Sequence, residues 1–132
     1  MPGIYTLGKN ERIRGRKLME ELFSRGTRLN QGPFRTVILE SKEPQLKLGV
    51  GASVRHFKRS VDRNRIKRLL REAFRLNKLP LKQALEQKGR GLNVFISYAS
   101  RDLPDHTSVE KAVRSIIQKL VQRVNENPSS NT

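Results

Sequence analysis

Hydrophobic residues recur at three- and four-residue spacing in three parts of the chain, and this period predicts amphipathic helices. The predicted helices cover residues 15–24, 58–76 and 107–124, and a short helical turn is expected over 81–88. The middle helix carries its apolar stripe on Ile66, Leu69, Leu70, Ala73 and Phe74. The last helix has the most regular period and begins with a capping-box pattern, so both are expected to pack by one face.

Alternation of apolar and polar side chains predicts β-strands over residues 34–41, 46–54 and 92–98. The sequence around Pro44 is typical of a turn, so the first two strands are expected to form a hairpin. The order of elements is then helix, two strands, helix, strand, helix. This order predicts an α/β (α+β) two-layer sandwich, in which a small mixed sheet packs against helices.

The chain has the length of one domain, and no linker separates two hydrophobic cores. Residues 1–132 are therefore interpreted as a single domain. The weakly periodic segment 1–13 and the polar segment 125–132 are expected to be flexible. Gly26 follows the first helix and is expected to end it in a left-handed conformation.

The sequence contains 28 Lys and Arg residues against 12 Asp and Glu residues, which gives a formal net charge of +16. Such an excess disfavours the compact state by self-repulsion and predicts a polyanionic partner. An anionic membrane is the alternative, but no apolar run approaches the roughly 18 residues of a membrane-spanning helix. Cysteine is absent and no secretory pattern opens the sequence, so we expect a cytoplasmic protein with no membrane partner.

The positive charge is concentrated in the middle helix and in the residues before it. Between Arg55 and Lys78 there are ten Lys or Arg residues but only two acidic residues. Because successive helical residues are about 100° apart, one polar group lies opposite the apolar stripe: Asn64, Arg68, Arg71 and Arg75. A merely solvated helix face usually mixes both signs of charge, and this one hardly does. The pattern therefore predicts contact with nucleic acid.

The chain lacks the clusters of residues that hydrolytic chemistry requires. Its acidic residues have no ligand-like spacing, and His56 and His106 have different neighbours. The sequence Gly49-Val50-Gly51 is too short to indicate a phosphate loop, and its glycines are expected to admit a neighbouring strand. His56 suits a phosphate contact and an ordinary loop position equally well. We therefore predict no catalytic residue, no metal site and no bound cofactor in this chain.

Residues 63–74 read Arg-Asn-Arg-Ile-Lys-Arg-Leu-Leu-Arg-Glu-Ala-Phe, which resembles the signature of the bacterial ribonuclease P protein subunit. The resemblance extends from residues 17–26 to the last helix. It implies a ribonucleoprotein endoribonuclease whose large RNA carries the active site and its Mg²⁺ ions and removes the 5′ leader of precursor tRNA. The protein is then expected to bind that RNA and grip the leader, with no obligate protein partner. A left-handed βαβ crossover is also implied, against the general rule.

The resemblance assigns RNA contacts to six residues of the signature, namely Arg63, Asn64, Arg65, Lys67, Arg68 and Arg71. Arginine makes forked hydrogen bonds to phosphate oxygens, and asparagine donates and accepts at once. Some of these residues are also expected to fix the helix to the rest of the protein. The predicted RNA-binding set is completed by Arg55, Lys58 and Arg59 before the helix, and by Arg75 on its polar face.

The same resemblance implies a cleft for the leader, lined here by Met19, Phe23, Arg35 and Val37 and by residues 55–59 at the start of the signature helix. Met19 and Val37 stand where many relatives have aromatic residues. We therefore expect the cleft to hold the leader by charge and apolar contact more than by base stacking. For Met19 and Phe23, packing in the core and exposure in a groove remain equal alternatives.

Three other functions share parts of this pattern. A ribosomal or other structural RNA-binding protein has similar size and charge but need not carry the signature. A self-sufficient nuclease is disfavoured by the missing catalytic groups, and a DNA regulator by the lack of a helix-turn-helix pair. Cleavage assays with and without the RNA subunit separate these functions.

Overall fold

The structure, a computed structural model, describes residues 11–126. In chain order its elements are α1 (Arg16–Arg25), β1 (Thr27–Gln31), β2 (Phe34–Ser41), β3 (Leu46–Ala52), α2 (Ser60–Asn77), α3 (Leu79–Lys88), β4 (Gly91–Tyr98) and α4 (His106–Glu126). The three long predicted helices are all present. The short turn expected over 81–88 is a complete helix of 10 residues.

The four strands form one mixed sheet in the order β1-β2-β4-β3. β1 and β4 each pair antiparallel with β2, whereas β3 pairs parallel with β4. The chain connects β3 to β4 through α2 and α3, and these elements form the predicted βαβ crossover. The predicted α+β architecture, a small mixed sheet packed against helices, is thereby confirmed.

One expectation about the strands is wrong, and one strand is not predicted at all. β2 and β3 do not form a hairpin, because β4 lies between them and pairs with both. Alternation of side chains indicates which face of a strand is buried, but it does not select the neighbouring strand. The sequence also fails to predict β1, because its five residues Thr-Arg-Leu-Asn-Gln include only one apolar side chain. Its backbone pairing with β2 makes this segment a strand.

Helices α2, α3 and α4 pack on one face of the sheet and enclose the main hydrophobic core. From α2 the buried residues are Ile66, Leu70, Ala73 and Phe74. From α4 they are Val109, Val113, Ile116, Ile117, Leu120 and Val124. Leu69 packs against the edge of the same core, so both predicted apolar stripes are confirmed.

The ends of α1 and α4 differ from what the sequence indicates. α4 begins one residue before the expected Thr107, and Asp105 caps it, because its carboxylate accepts the backbone N–H of Ser108 at 2.8 Å. This hydrogen bond lowers the pKa of Asp105 below its ordinary value. Gly26 ends α1 in an extended conformation, with φ −74°, rather than a left-handed one. A Cβ there would lie 2.6 Å from Cγ1 of Val37, so close approach of α1 to β2 requires the glycine.

α1 covers part of the opposite face of the sheet. Its Leu22 is fully buried, and Val37 of β2 is also buried, although its neighbours Thr36 and Ile38 are buried on the other side of the strand. Both faces of β2 are therefore covered at this point. Beside α1 the same face carries Phe95 and Ser97, which are partly exposed, and this surface is the candidate cleft described below.

Residues 11–13, which we name the N-terminal strap, lie along the outer edge of β3. The N–H of Ile13 donates to the carbonyl oxygen of Leu48 at 3.0 Å, and Arg12 forms a parallel β-bridge with the same residue. At its other end, Glu11 accepts a hydrogen bond from Lys78 Nζ at 2.6 Å. The Lys78 side chain is only 1% exposed, so this ion pair ties the strap to the body of the protein.

The two terminal segments expected to be flexible each overlap the described range by a few residues. The strap contacts β3 and Lys78, and α4 continues to Glu126. Residues 1–10 and 127–132 lie outside the described range.

Thr36 lies in the core with a hydroxyl that has no hydrogen-bond partner among the described residues. We expect Thr36→Val to raise the free energy of unfolding by about 1 kcal/mol, because valine keeps the shape and removes an unsatisfied buried group. Urea denaturation measures the change. The control is Thr27→Val on the exposed edge strand, where no gain is expected. A variant at Thr36 that is less stable than the unmodified protein would contradict this reasoning.

Candidate nucleic-acid interface

The polar side of α2 carries a continuous group of cationic side chains. Asn64, Arg65 and Arg68 are exposed, while Lys67 and Arg71 are partly exposed. Within residues 11–126, none of these four cations forms a salt bridge with a carboxylate. Because the opposite side of the helix is anchored in the core, the cationic side is held in one orientation. Such a surface suits the phosphate groups of a polyanion.

Arg63, the first arginine of the signature, contacts the protein itself. Its Nη1 donates to the carbonyl oxygens of Phe57 at 2.7 Å and of Lys58 at 2.9 Å. These bonds fasten the segment before α2 to the first turn of the helix. The expectation that part of the signature fixes the helix is therefore confirmed for Arg63.

Arg75 is likewise engaged within α2. Its Nε and Nη2 donate to both carboxylate oxygens of Glu72, at 3.0 and 2.7 Å. These hydrogen bonds are the main cause of a lowered pKa of Glu72. Glu72 thus pairs with Arg75, one helical turn away. Arg75 keeps its positive charge near the polar face, but two of its guanidinium nitrogens already donate to the Glu72 carboxylate.

The loop between β3 and α2 presents three predicted RNA contacts, Arg55, Lys58 and Arg59, which are all exposed. The loop is held by Phe57, whose buried ring stacks on that of Tyr98 with centroids 6.1 Å apart. An apolar anchor in the middle of the loop therefore directs its cationic neighbours outward.

Arg101 is a cationic residue that the sequence analysis does not assign to the interface. It follows β4, and Tyr98 fixes this second loop by donating its hydroxyl to the carbonyl oxygen of Asp102 at 2.7 Å. Since β3 and β4 are parallel neighbours, the loops after them meet at one edge of the sheet. Arg101 there lines an open depression of about 550 Å³ with Arg55 and His56. The sequence could place Arg101 beside Arg55 only if the parallel pairing of β3 with β4 were already known, because loops after parallel neighbours meet at one edge of the sheet.

The cleft beside α1 has an aromatic floor. Phe23 is 41% exposed, and its ring meets that of Phe95 edge to face, with centroids 5.1 Å apart. The Phe95 ring lies over Gly49 and Gly51 of β3, where an added Cβ would come within 2.8 and 2.9 Å of it. The glycines therefore make room for an aromatic ring rather than for another strand.

Phe95 is the candidate cleft residue that the sequence analysis most clearly misses. In β4 the apolar face is formed by Leu92, Val94, Ile96 and Tyr98, and all four are buried. Alternation places Phe95 on the opposite face, between Asn93 and Ser97. An aromatic side chain on the polar face of a strand is the signal that identifies this position.

The other predicted cleft residues divide into two groups. Met19 is partly exposed on α1, one helical turn from Phe23, and Arg35 is exposed on β2. Val37 corrects the prediction, because it is only 4% exposed and lies beneath α1. It supports the helix that borders the cleft instead of lining the open surface.

Two further properties concern the described part of the chain as a whole. Between residues 11 and 126, no three His, Asp or Glu side chains come together in a way that could hold a metal ion. No helix in this range is long and apolar enough to span a membrane.

Comparison with known proteins connects this geometry to a family. A family model for ribonuclease P matches residues 7–121. The ribonuclease P protein component of Porphyromonas gingivalis is 32% identical over 132 residues, covering 98% of this chain and 94% of that protein. The component from Chlorobaculum tepidum is 33% identical over 131 residues, covering 88% and 83%.

A solved structure supports the fold independently. The Staphylococcus aureus RNase P protein superposes with a TM-score of 0.64 at 18% identity, covering 83% of this chain and 94% of that one. At this identity the likeness concerns the fold alone. The family model and the curated relatives cover nearly the whole chain, and they agree with the arginine-rich signature on α2. The chain therefore belongs to the ribonuclease P family.

Proposed function

We propose that this chain is the protein subunit of ribonuclease P. It binds the catalytic RNA of that enzyme and the 5′ leader of precursor tRNA, and it promotes endonucleolytic removal of the leader to make mature tRNA 5′ ends. The observation that best supports the proposal is that the cleft beside α1 and the cationic face of α2 adjoin each other. The cationic loop after β3 connects the strand beneath the cleft directly to the cationic face of α2.

The face of α2 is the part proposed to meet the catalytic RNA. Arg65 and Arg68 are exposed, have no carboxylate partner among the described residues, and project from a helix whose other side is buried. Each guanidinium can form two parallel hydrogen bonds with a phosphate group. Asn64 adds a donor and an acceptor one residue away, which suits a ribose hydroxyl or a base edge.

The cleft is the part proposed to hold the leader, which is single-stranded. Phe23 and Phe95 supply apolar ring surface, and Arg35 and Arg55 supply positive charge at its border. Apolar contact combined with backbone neutralisation binds a strand without requiring a particular sequence.

The bond-breaking groups and their Mg²⁺ ions are proposed to belong to the RNA. The contribution of the protein is then electrostatic and geometric: it neutralises phosphates where two RNA molecules approach, and it positions the leader. A net charge of +16 suits this task. The cytoplasm is the expected compartment, and neither a membrane nor a second protein is required.

The test is reconstitution of the RNA subunit with precursor tRNA at a limiting Mg²⁺ concentration. Adding the chain is expected to increase the rate of leader removal, whereas the RNA-free chain is expected to cleave nothing. An unchanged rate would leave a structural RNA-binding protein as the better description. Turnover by the purified chain alone would place catalysis in the protein.

The cleft allows a more specific prediction. Lys58→Ala is expected to weaken binding of precursor tRNA by about tenfold or more, because it removes a charge-assisted contact to the leader worth about 1.5–3 kcal/mol. Phe23→Ala is expected to weaken it by less than about fivefold, since a stacked base is worth about 1–3 kcal/mol and stacking is not the main contact. Affinity is measured in the reconstituted complex.

Mature tRNA, which has no leader, is the control substrate, and neither substitution should affect its binding. Suppose instead that Phe23→Ala costs several kcal/mol while Lys58→Ala has no effect. The cleft then holds the leader by stacking, and the preference for charge is wrong.

A further inference from the structure

Ile13 of the N-terminal strap lies against the floor of the cleft. A Cβ added to Gly49 would be 3.5 Å from both Cβ and Cδ1 of Ile13, and 2.8 Å from Cδ1 of Phe95. Gly49 and Phe95 are register partners in the parallel pairing of β3 with β4, so the Cβ direction of this glycine belongs to the cleft face. The Ile13 side chain and the Phe95 ring therefore converge over the same glycine.

The Phe95 ring thus has a neighbour from each of two segments of the chain. Phe23 meets it edge to face from α1, with centroids 5.1 Å apart, and Ile13 reaches it from the outer edge of β3. Ile13 and Phe95 are both partly exposed, so both keep surface available to a ligand. A ring that is packed between two neighbours presents one orientation, and such preorganisation reduces the entropy that binding would otherwise cost.

Two contacts hold Ile13 in this place. Its own N–H donates to the carbonyl oxygen of Leu48 at 3.0 Å, and two residues earlier Glu11 pairs with Lys78 Nζ at 2.6 Å. Lys78 is 1% exposed and directly follows α2, so the pair connects the strap to the helical layer behind the sheet. Because a buried charge without its partner is strongly unfavourable, the ion pair restrains Glu11 and, through the backbone, Ile13.

We propose that the strap forms a further wall of the leader cleft, in which Ile13 contacts a base of the leader and Glu11 and Lys78 are positioning residues that keep Ile13 beside Phe95. This inference rests on the proposed function, because it adds residues to the leader site named there. The face of a base is apolar and suits an aliphatic side chain next to an aromatic ring. Neither side chain has a hydrogen-bonding group, so the contact accepts any base.

The experiment measures the affinity of precursor tRNA and of mature tRNA for the complex of the full chain with the ribonuclease P RNA. Ile13→Ala is expected to weaken precursor binding about fourfold, which corresponds to one buried methylene group, and to leave mature tRNA binding unchanged. Glu11→Gln should weaken precursor binding about twofold, but should add nothing once Ile13 is alanine, because it acts through that side chain. Leu76→Ala is the matched control, since it truncates a 41% exposed aliphatic residue near the end of α2. Melting temperatures verify the fold of every variant.

Three results would overturn the inference: Ile13→Ala binding precursor tRNA like Leu76→Ala, equal losses for precursor and mature tRNA, or losses of Ile13→Ala and Glu11→Gln that multiply in the double variant. The proposed function has its own outcome in the same series. If the unmodified complex binds both forms of tRNA as the RNA alone does, that function fails. If it prefers the precursor and Lys58→Ala weakens this preference while Ile13→Ala does not, only the role of the strap is rejected.

Discussion

Replacing Arg65 and Arg68 together with alanine is expected to weaken binding of the ribonuclease P RNA by about a hundredfold and to leave the fold intact. Both side chains are exposed on the polar side of α2 and contribute nothing to its buried stripe. A hydrogen bond to a charged group is worth about 1.5–3 kcal/mol, so two lost phosphate contacts amount to at least about 3 kcal/mol. The salt dependence should also decrease by about 1.4–1.8 in slope.

Filter binding of the RNA at several salt concentrations measures both quantities. A double variant on another helix, Arg114→Ala with Arg123→Ala, removes the same charge from exposed positions of α4. If binding depends on the surface of α2, this control should retain most of the affinity. Equal losses in the two double variants would mean that net charge alone governs binding, and the assignment of α2 as the RNA-binding face would be incorrect.

Gly26→Ala is expected to reduce the free energy of unfolding by about 3 kcal/mol or more. A Cβ at this position would approach three atoms too closely: the carbonyl oxygen of Leu22, Cγ1 of Val37 at 2.6 Å and the carbonyl oxygen of Ile38 at 2.9 Å. Two of these atoms are backbone atoms of α1 and β2, so a rotamer change cannot remove the overlap. Overpacking a core costs about 1–3 kcal/mol, and a collision with backbone belongs at or above the upper end of that range.

Gly32→Ala is the control that separates steric overlap from backbone strain. Gly32 has φ +57°, and an added Cβ would meet nothing within 4 Å, so only the left-handed conformation is penalised. We expect a loss of about 1–2 kcal/mol there. Denaturant unfolding of both variants gives the comparison. Equal losses at the two glycines would show that α1 can move away from β2, and that the cleft it borders is adaptable.

The helices of this protein could be predicted because their information is local. The apolar residues of α2 and α4 recur with the helical period, and most of the same residues are buried in the structure. The arginine-rich signature lies within one helix, so its exposed face follows from the period as well. The hydrogen-bond partners of Arg63 and Arg75 could not be predicted in this way, because each depends on which acceptor lies within reach of the guanidinium.

The sequence by itself determined the apolar stripes, the cationic side of α2 and the membership of a family whose partner is an RNA. Only the tertiary structure decided that β4 separates β2 from β3, that Phe95 covers two glycines, that Val37 lies under α1 and that the strap pairs with β3. The physical reason is that a period along the chain specifies the buried side of each element, and neighbours in space are selected by packing between elements that are distant in sequence.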